Sequence, residues 1–82
     1  MPAKIHQAIA RQWQLLKLLP SKGAGLSARE LAERLAQDGF EVTKRTVERD
    51  LNELAALFPL YCNDKNPPYG WRWADDAHTD LP

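Results

Sequence analysis

The chain has 82 residues, eleven basic and eleven acidic side chains and 44% apolar residues. That composition suits one small folded domain and excludes a disordered polyelectrolyte. No apolar run approaches the ~18 residues that span a bilayer, and the single cysteine, Cys62, excludes an internal disulfide.

Polar Gln7, Arg11 and Gln12 interrupt any signal-peptide core, so the expected location is a reducing cytosol. The zero net charge hides a skew. Asp75, Asp76 and Asp80 lie in a tail that has no Lys or Arg, which leaves eight acids against eleven bases over residues 1–73. The rest of the chain is therefore mildly basic.

The first predicted helix covers residues 3–19. Ile5, Ala8, Ile9, Gln12, Leu16 and Leu19 recur at helical spacing, with Trp13 beside the stripe. Leu15 and Leu18 fall off that stripe, and either touch other parts of the domain or make a subunit contact. Pro20 ends the helix, and a small-residue loop follows to Gly25.

The second helix lies in "LSARELAERLAQDG". Ser27 is its N-cap, Glu30 completes a capping box, and Gly39 fits the C′ position. Ala28, Leu31, Ala32 and Leu35 form its apolar face, and Phe40 and Val42 bring the chain back to the core.

The third helix is predicted over residues 43–58, capped by Thr43 and stopped by Pro59. Val47, Leu51, Leu54 and Phe58 make one inward stripe. At about 100° per residue, Arg45, Arg49, Asn52 and Ala56 lie opposite, flanked by Lys44 and Thr46. Asp50 sits nearer the buried side and is expected to pair with a basic group or an N–H. Glu48 is lateral and must point away from any polyanion or pair. Taken alone, this stretch also fits a solvated helix face held by local ion pairs.

The remainder reads as a hairpin. Leu60 and Cys62 alternate with Tyr61 and Asn63, "KNPPYG" is a turn, and Trp71 and Trp73 share the face opposite Arg72. The tryptophans are expected in the core, with base contact the alternative, and Cys62 as a small buried residue rather than a redox switch. Tyr69 either donates to a phosphate or caps the turn. His6 and His78 lie at opposite ends, and no ligand set surrounds them. No nucleophile–His pair, Gly-rich phosphate loop or carboxylate cluster marks an enzyme, and no cofactor is expected.

The predicted fold class is α+β, mostly α: a winged helix-turn-helix of three helices plus a C-terminal β-hairpin wing. Residues 1–74 form the domain, and 75–82 an acidic linker or frayed end. The third helix would enter the major groove of double-stranded DNA and the wing would lie on the backbone. Arg suits guanine and Asn suits adenine by two-pronged hydrogen bonding. The expected contacts are Thr43, Lys44, Arg45, Thr46, Arg49 and Asn52 on the third helix. Ser27 and Arg29 join them at the start of the second, and Lys65, Tyr69 and Arg72 on the wing. A protein-interaction winged helix is the alternative.

"SARELAERL", then "RTVERDL" (Arg45 to Leu51) and "YGWRW" resemble the N-terminal winged helix-turn-helix of bacterial WYL-domain transcriptional regulators over roughly residues 5–74. The resemblance implies a homodimeric, nucleoid-associated repressor or activator. In it Arg45, Thr46 and Arg49 contact DNA, Asp50 is a structural partner, and an effector binds a C-terminal WYL domain. This chain departs from the pattern in its longer "AQDGFEV" turn and in carrying no WYL domain. A second resemblance, to the DNA-binding domain of arginine repressors, rests on a "GF-V-T" turn before a "T-V-x-R-D" helix and implies the same fold and groove contacts.

Overall fold

A computed structural model describes residues 3–63 and 69–74, the first four of them by backbone alone. The predicted turn at 64–68 with Lys65, the tail at 75–82 with His78, and the side chains of Ile5 and His6 lie outside the described residues. Three helices come first: α1 (Ala3–Leu18), α2 (Ala28–Gln37) and α3 (Lys44–Ala55). Strands β1 (Leu60–Asn63) and β2 (Gly70–Trp73) follow as an antiparallel pair. The arrangement is mostly helical α+β, as the pattern predicts.

Both ends of α2 obey their sequence signals. Ser27 Oγ accepts from the Glu30 N–H at 3.1 Å, and the Glu30 carboxylate accepts from the Ser27 N–H at 3.0 Å. At the other end Gly39 takes φ +94°. Its N–H donates to the Ala36 carbonyl and that of Phe40 to the Leu35 carbonyl, which is the double closure of a Schellman turn. The helix α3 starts on Thr43 as predicted but ends at Ala55, three residues short of the predicted stop. Pro59 disfavours helical backbone at Phe58, and the last turn tightens instead, the Ala56 N–H donating to the Glu53 carbonyl and the Leu57 N–H to the Leu54 carbonyl.

In α1 the predicted facing is partly wrong. Leu15, read as off the stripe, is fully buried, whereas Ile9, read as on it, is 62% exposed. Apolar side chains on α1 run from Leu18 through Leu15, Leu19 and Leu16 to Ile9 and Trp13, an arc of about 220° at 100° per residue. A helix packed on one side cannot bury so wide an arc. The inward direction centres on Leu15 and Leu19, and the Ile9–Trp13 edge is left at the surface. Leu18 packs against the core cluster, so of the two readings for Leu15 and Leu18 the intradomain one holds.

The core joins Leu15, Leu16 and Leu19 with Leu31 and Leu35 of α2, Val47, Leu51 and Leu54 of α3, and Trp73 of β2. The hairpin register pairs Leu60 with Trp73 and Cys62 with Trp71, so those four share one face, while Tyr61 pairs with Arg72 on the other. Trp73 is tied down at three points. Its indole N–H donates to the Leu16 carbonyl at 3.2 Å, its backbone N–H to the Pro20 carbonyl at 2.9 Å, and its ring meets Phe58 edge-on at 6.1 Å.

One pairing is absent from the sequence reading. Leu26 forms an isolated antiparallel bridge with Trp71, exchanging two backbone hydrogen bonds of 2.9 and 2.7 Å. The loop before α2 thus lies along the free edge of β2. Gly70 makes this approach possible, because a Cβ there would collide with the Ala24 carbonyl oxygen.

The polar tie is between α1 and α3. Asp50 is 2% exposed. Arg11 grips both its oxygens, by Nε to Oδ2 and by Nη2 to Oδ1 at 3.1 Å. Gln12 Nε2 adds a bond of 3.1 Å to Oδ1 and one of 3.3 Å to Glu53. Asp50 therefore has the basic intradomain partner expected of it. The two partners differ in exposure, at 18% for the Arg11 side chain and 3% for that of Asp50. Removing Arg11 strands a buried carboxylate, whereas removing Asp50 leaves a guanidinium that reaches water. Arg11→Ala should cost about 3 kcal/mol and Asp50→Ala clearly less, measured by urea denaturation at neutral pH. Equal losses would show that burial does not set the cost.

Candidate nucleic-acid interface

The outward face of α3 follows from the inward one. With Asp50, Val47, Leu51 and Leu54 buried, the 100° step turns Lys44, Arg45, Glu48, Arg49 and Asn52 to solvent, and all five are exposed. Thr43, Arg45, Thr46 and Arg49 border a depression of about 450 Å³ at the start of the helix. The Thr43 hydroxyl accepts from the Thr46 N–H at 3.2 Å and donates to the Thr46 hydroxyl at 3.1 Å. Two threonines are thereby fixed as the rim, while Lys44, Arg45 and Arg49 make no ion pair among the described residues.

A larger cleft of about 1120 Å³ opens between the start of α2, the side of α3 and the inner face of the hairpin. It is lined by Ser27, Arg29, Glu30, Glu33, Lys44, Glu48, Asn52, Cys62, Tyr69 and Trp71. Nine of the eleven predicted contact residues thus border one or other of these two hollows. Arg72 borders neither. Its guanidinium carbon lies 4.6 Å from the centre of the Tyr61 ring and Nη1 donates to the Trp73 carbonyl at 2.8 Å, so it is held on the outer face of the hairpin. Lys65 lies outside the described residues.

The two hollows differ in charge. The cleft holds three carboxylates, Glu30, Glu33 and Glu48, against Arg29 and Lys44, and Arg29 is drawn to Glu33 at 3.8 Å. The depression holds two arginines and no carboxylate. Ser27, buried within the capping box, and Asn52, which donates to the Glu48 carbonyl at 2.9 Å, already make local bonds. Positive potential therefore concentrates at Arg45 and Arg49. Cys62 and Trp71 line the cleft, and half-buried Trp71 also packs on the core. Among the described residues no group of three His, Cys, Asp or Glu could hold a metal, and no helix is long and apolar enough to cross a membrane.

The starts of α2 and α3 differ. A helix N-terminus carries partial positive charge and favours carboxylates. The helix α2 has Glu30 in its first turn, whereas α3 has none and opens on Lys44 and Arg45. Arg45 and Arg49 are also one turn apart, a like-charge spacing that costs a few tenths of a kcal/mol. Sequence reasoning missed two groups that set this face, Arg11 and Gln12. The signal available was that Arg11 sits about 40° from buried Leu15 around α1, close enough to the inward side to reach Asp50.

No protein-family model matches the chain, and neither the curated proteins nor the solved structures contain a significant match.

The α2 cap carries a pH signature. The Ser27 backbone N–H and hydroxyl, with a weaker contribution from Arg34, hold the Glu30 carboxyl below its ordinary value. A carboxyl lowered in the folded state adds stability above its unfolded value and loses it as pH falls through the folded one. Ser27→Ala should cost about 1 kcal/mol at pH 7. Glu30→Gln should destabilise at neutral pH and become nearly silent in acid, where the wild-type carboxyl is protonated. Thermal melts across that range check it, and a pH-independent penalty would contradict the charge-assisted cap.

Proposed function

We propose that this chain is a winged helix-turn-helix that binds double-stranded DNA sequence-specifically, as the reading domain of a bacterial transcriptional regulator. In this reading α3 enters the major groove by its N-terminal half. Arg45 and Arg49 read base edges or adjacent phosphates, and Lys44, Thr43 and Thr46 anchor the backbone. Arg29 and Tyr69 flank the groove from the start of α2 and from the hairpin. Arg72 supports Tyr61 rather than reaching outward.

The observation that carries the reading is the unfavourable start of α3. Lys44 and Arg45 oppose the helix dipole, Arg49 repeats the charge one turn on, and no carboxylate among the described residues pairs with any of the three. A solvated face selected for stability alone would place acids there, as α2 does. An external polyanion supplies the missing countercharge.

This yields two opposed effects at one residue. Arg45→Glu should remove binding while stabilising the free domain by about 0.5 kcal/mol, a rise in Tm of roughly 2–4 °C for a domain this small. Arg49→Ala should weaken binding by about 1–3 kcal/mol with the fold intact. Fluorescence anisotropy with duplex from upstream of the chain's own gene, against a scrambled duplex at two salt concentrations, provides the readout. Salt-weakened preference for the upstream duplex, lost in Arg45→Glu, supports the proposal. Wild-type affinity in both variants, or no binding at low salt, rejects it.

A further inference from the structure

Three carboxylates line the cleft between α2, α3 and the hairpin, and two of them are engaged. Glu30 accepts from the Ser27 N–H at 3.0 Å, and Glu33 lies 3.8 Å from Arg29. The third, Glu48, is exposed on α3. Its carboxylate has no hydrogen bond or ion pair among the described residues, although Lys44 stands one turn before it.

Glu48 lies about 60° around α3 from Arg45 and about 100° from Arg49, so it borders the face that would meet the groove. Phosphates repel its oxygens, and docking would strip them of water, which costs unless a new partner replaces it. The nucleic-acid backbone offers a carboxylate nothing. A base edge can offer it a hydrogen-bond donor.

On the DNA-binding reading, on which this inference rests, we propose that Glu48 is a specificity residue whose carboxylate accepts from the N4 amino group of a cytosine in the major groove. Base chemistry selects cytosine. Guanine shows two acceptors, O6 and N7, and thymine shows the O4 acceptor beside a methyl group, so both oppose a carboxylate. Adenine has the N6 donor but sets the N7 acceptor next to it. Cytosine alone presents a donor with no acceptor beside it.

A second acceptor follows one turn on. Asn52 is anchored through Nδ2 to the Glu48 carbonyl at 2.9 Å, and its Oδ1 has no partner among the described residues. Glu48 and Asn52 border the cleft, whereas Arg45 and Arg49 border the depression. Past Lys44, α3 thus carries acceptors along one side and donors along the other. Consecutive G·C pairs carry the complementary pattern, with guanine acceptors on one strand and cytosine donors on the other. Glu48 and Arg49 are consecutive, and the helix rises about 1.5 Å between them, against roughly 3.4 Å per base step. The cytosine therefore belongs to the pair whose guanine meets Arg49, or to the pair next to it.

The full 82-residue chain is equilibrated at low salt with a library of duplexes that carry a randomised core, and the bound duplexes are sequenced. Wild-type protein should prefer cytosine at one position by on the order of 5–100-fold, in or beside the pair whose guanine preference Arg49→Ala removes. Glu48→Ala should level that one position and leave the guanine preferences in place. Glu48→Gln should move the preference from cytosine to adenine, because an amide gives N7 a donor and N6 an acceptor. Glu48 is exposed, so both variants should keep the wild-type Tm. Glu48→Ala with unchanged base preferences overturns the proposal, even if every duplex binds more tightly, since the carboxylate then only repels phosphate. That result leaves the DNA-binding reading standing. A wild-type chain that retains no duplex, or retains all of them alike, overturns both.

Discussion

The tie from Arg11 and Gln12 to Asp50 sets the orientation on which the rest of this small domain depends. Apolar packing is forgiving of rotation, because Val47, Leu51 and Leu54 form a stripe that tolerates some rolling of α3. A carboxylate at 2% exposure does not share that tolerance. It must keep its donors or lose several kcal/mol of compensation for desolvation. With Asp50 fixed inward, Arg49 is turned about 100° away and Arg45 about 140°. The outward setting of the basic face is thus a consequence of one buried ion pair.

A second constraint holds the hairpin to the helices. The strand β2 is bonded on one edge to β1, on the other to Leu26, and along its length to Pro20 and Leu16 through Trp73. A two-stranded hairpin is marginal alone, and these attachments make it part of the core. The attachment to Leu26 also fixes the entry into α2, since Ser27 follows directly and begins the capping box. Gly25 and Gly70 are the small residues that let these backbones meet.

Much of this was legible because it is written in local signals. Ser27 with Glu30, Gly39, and the stripe from Val47 to Leu54 each name their element, and the alternation of Trp71 with Trp73 names the buried face of β2. Asp50 could be read as inward-facing from spacing alone. Long-range facts were not legible in the same way. The partner of Asp50 lies 39 residues away, and the Leu26–Trp71 bridge spans a comparable gap with only two glycines to announce it. Arg72 was read outward from strand alternation, correctly as to face. Alternation could not show that the Tyr61 ring beside it would hold the guanidinium. The α1 facing went astray because its apolar arc is wider than any one face, so periodicity fixed the helix but not its inward direction.

The width of that arc has a physical meaning. A domain of 82 residues gains little from burial and sits near the lower limit for folding alone. Leaving Ile9, Trp13 and Leu57 in water forgoes stabilisation that such a domain can hardly spare, and the cations that open α3 forgo more. Local choices that agree with one another are the mark of a sequence shaped only for its fold. Among the described residues two such disagreements stand at opposite ends of α3, one in exposed Ile9, Trp13 and Leu57 and the other in Lys44, Arg45 and Arg49. Random drift would scatter such conflicts over the surface. Both stand on or beside a single helix whose roll is fixed by Asp50, so the basic start of α3 and the apolar surface at its end keep one fixed relation to each other.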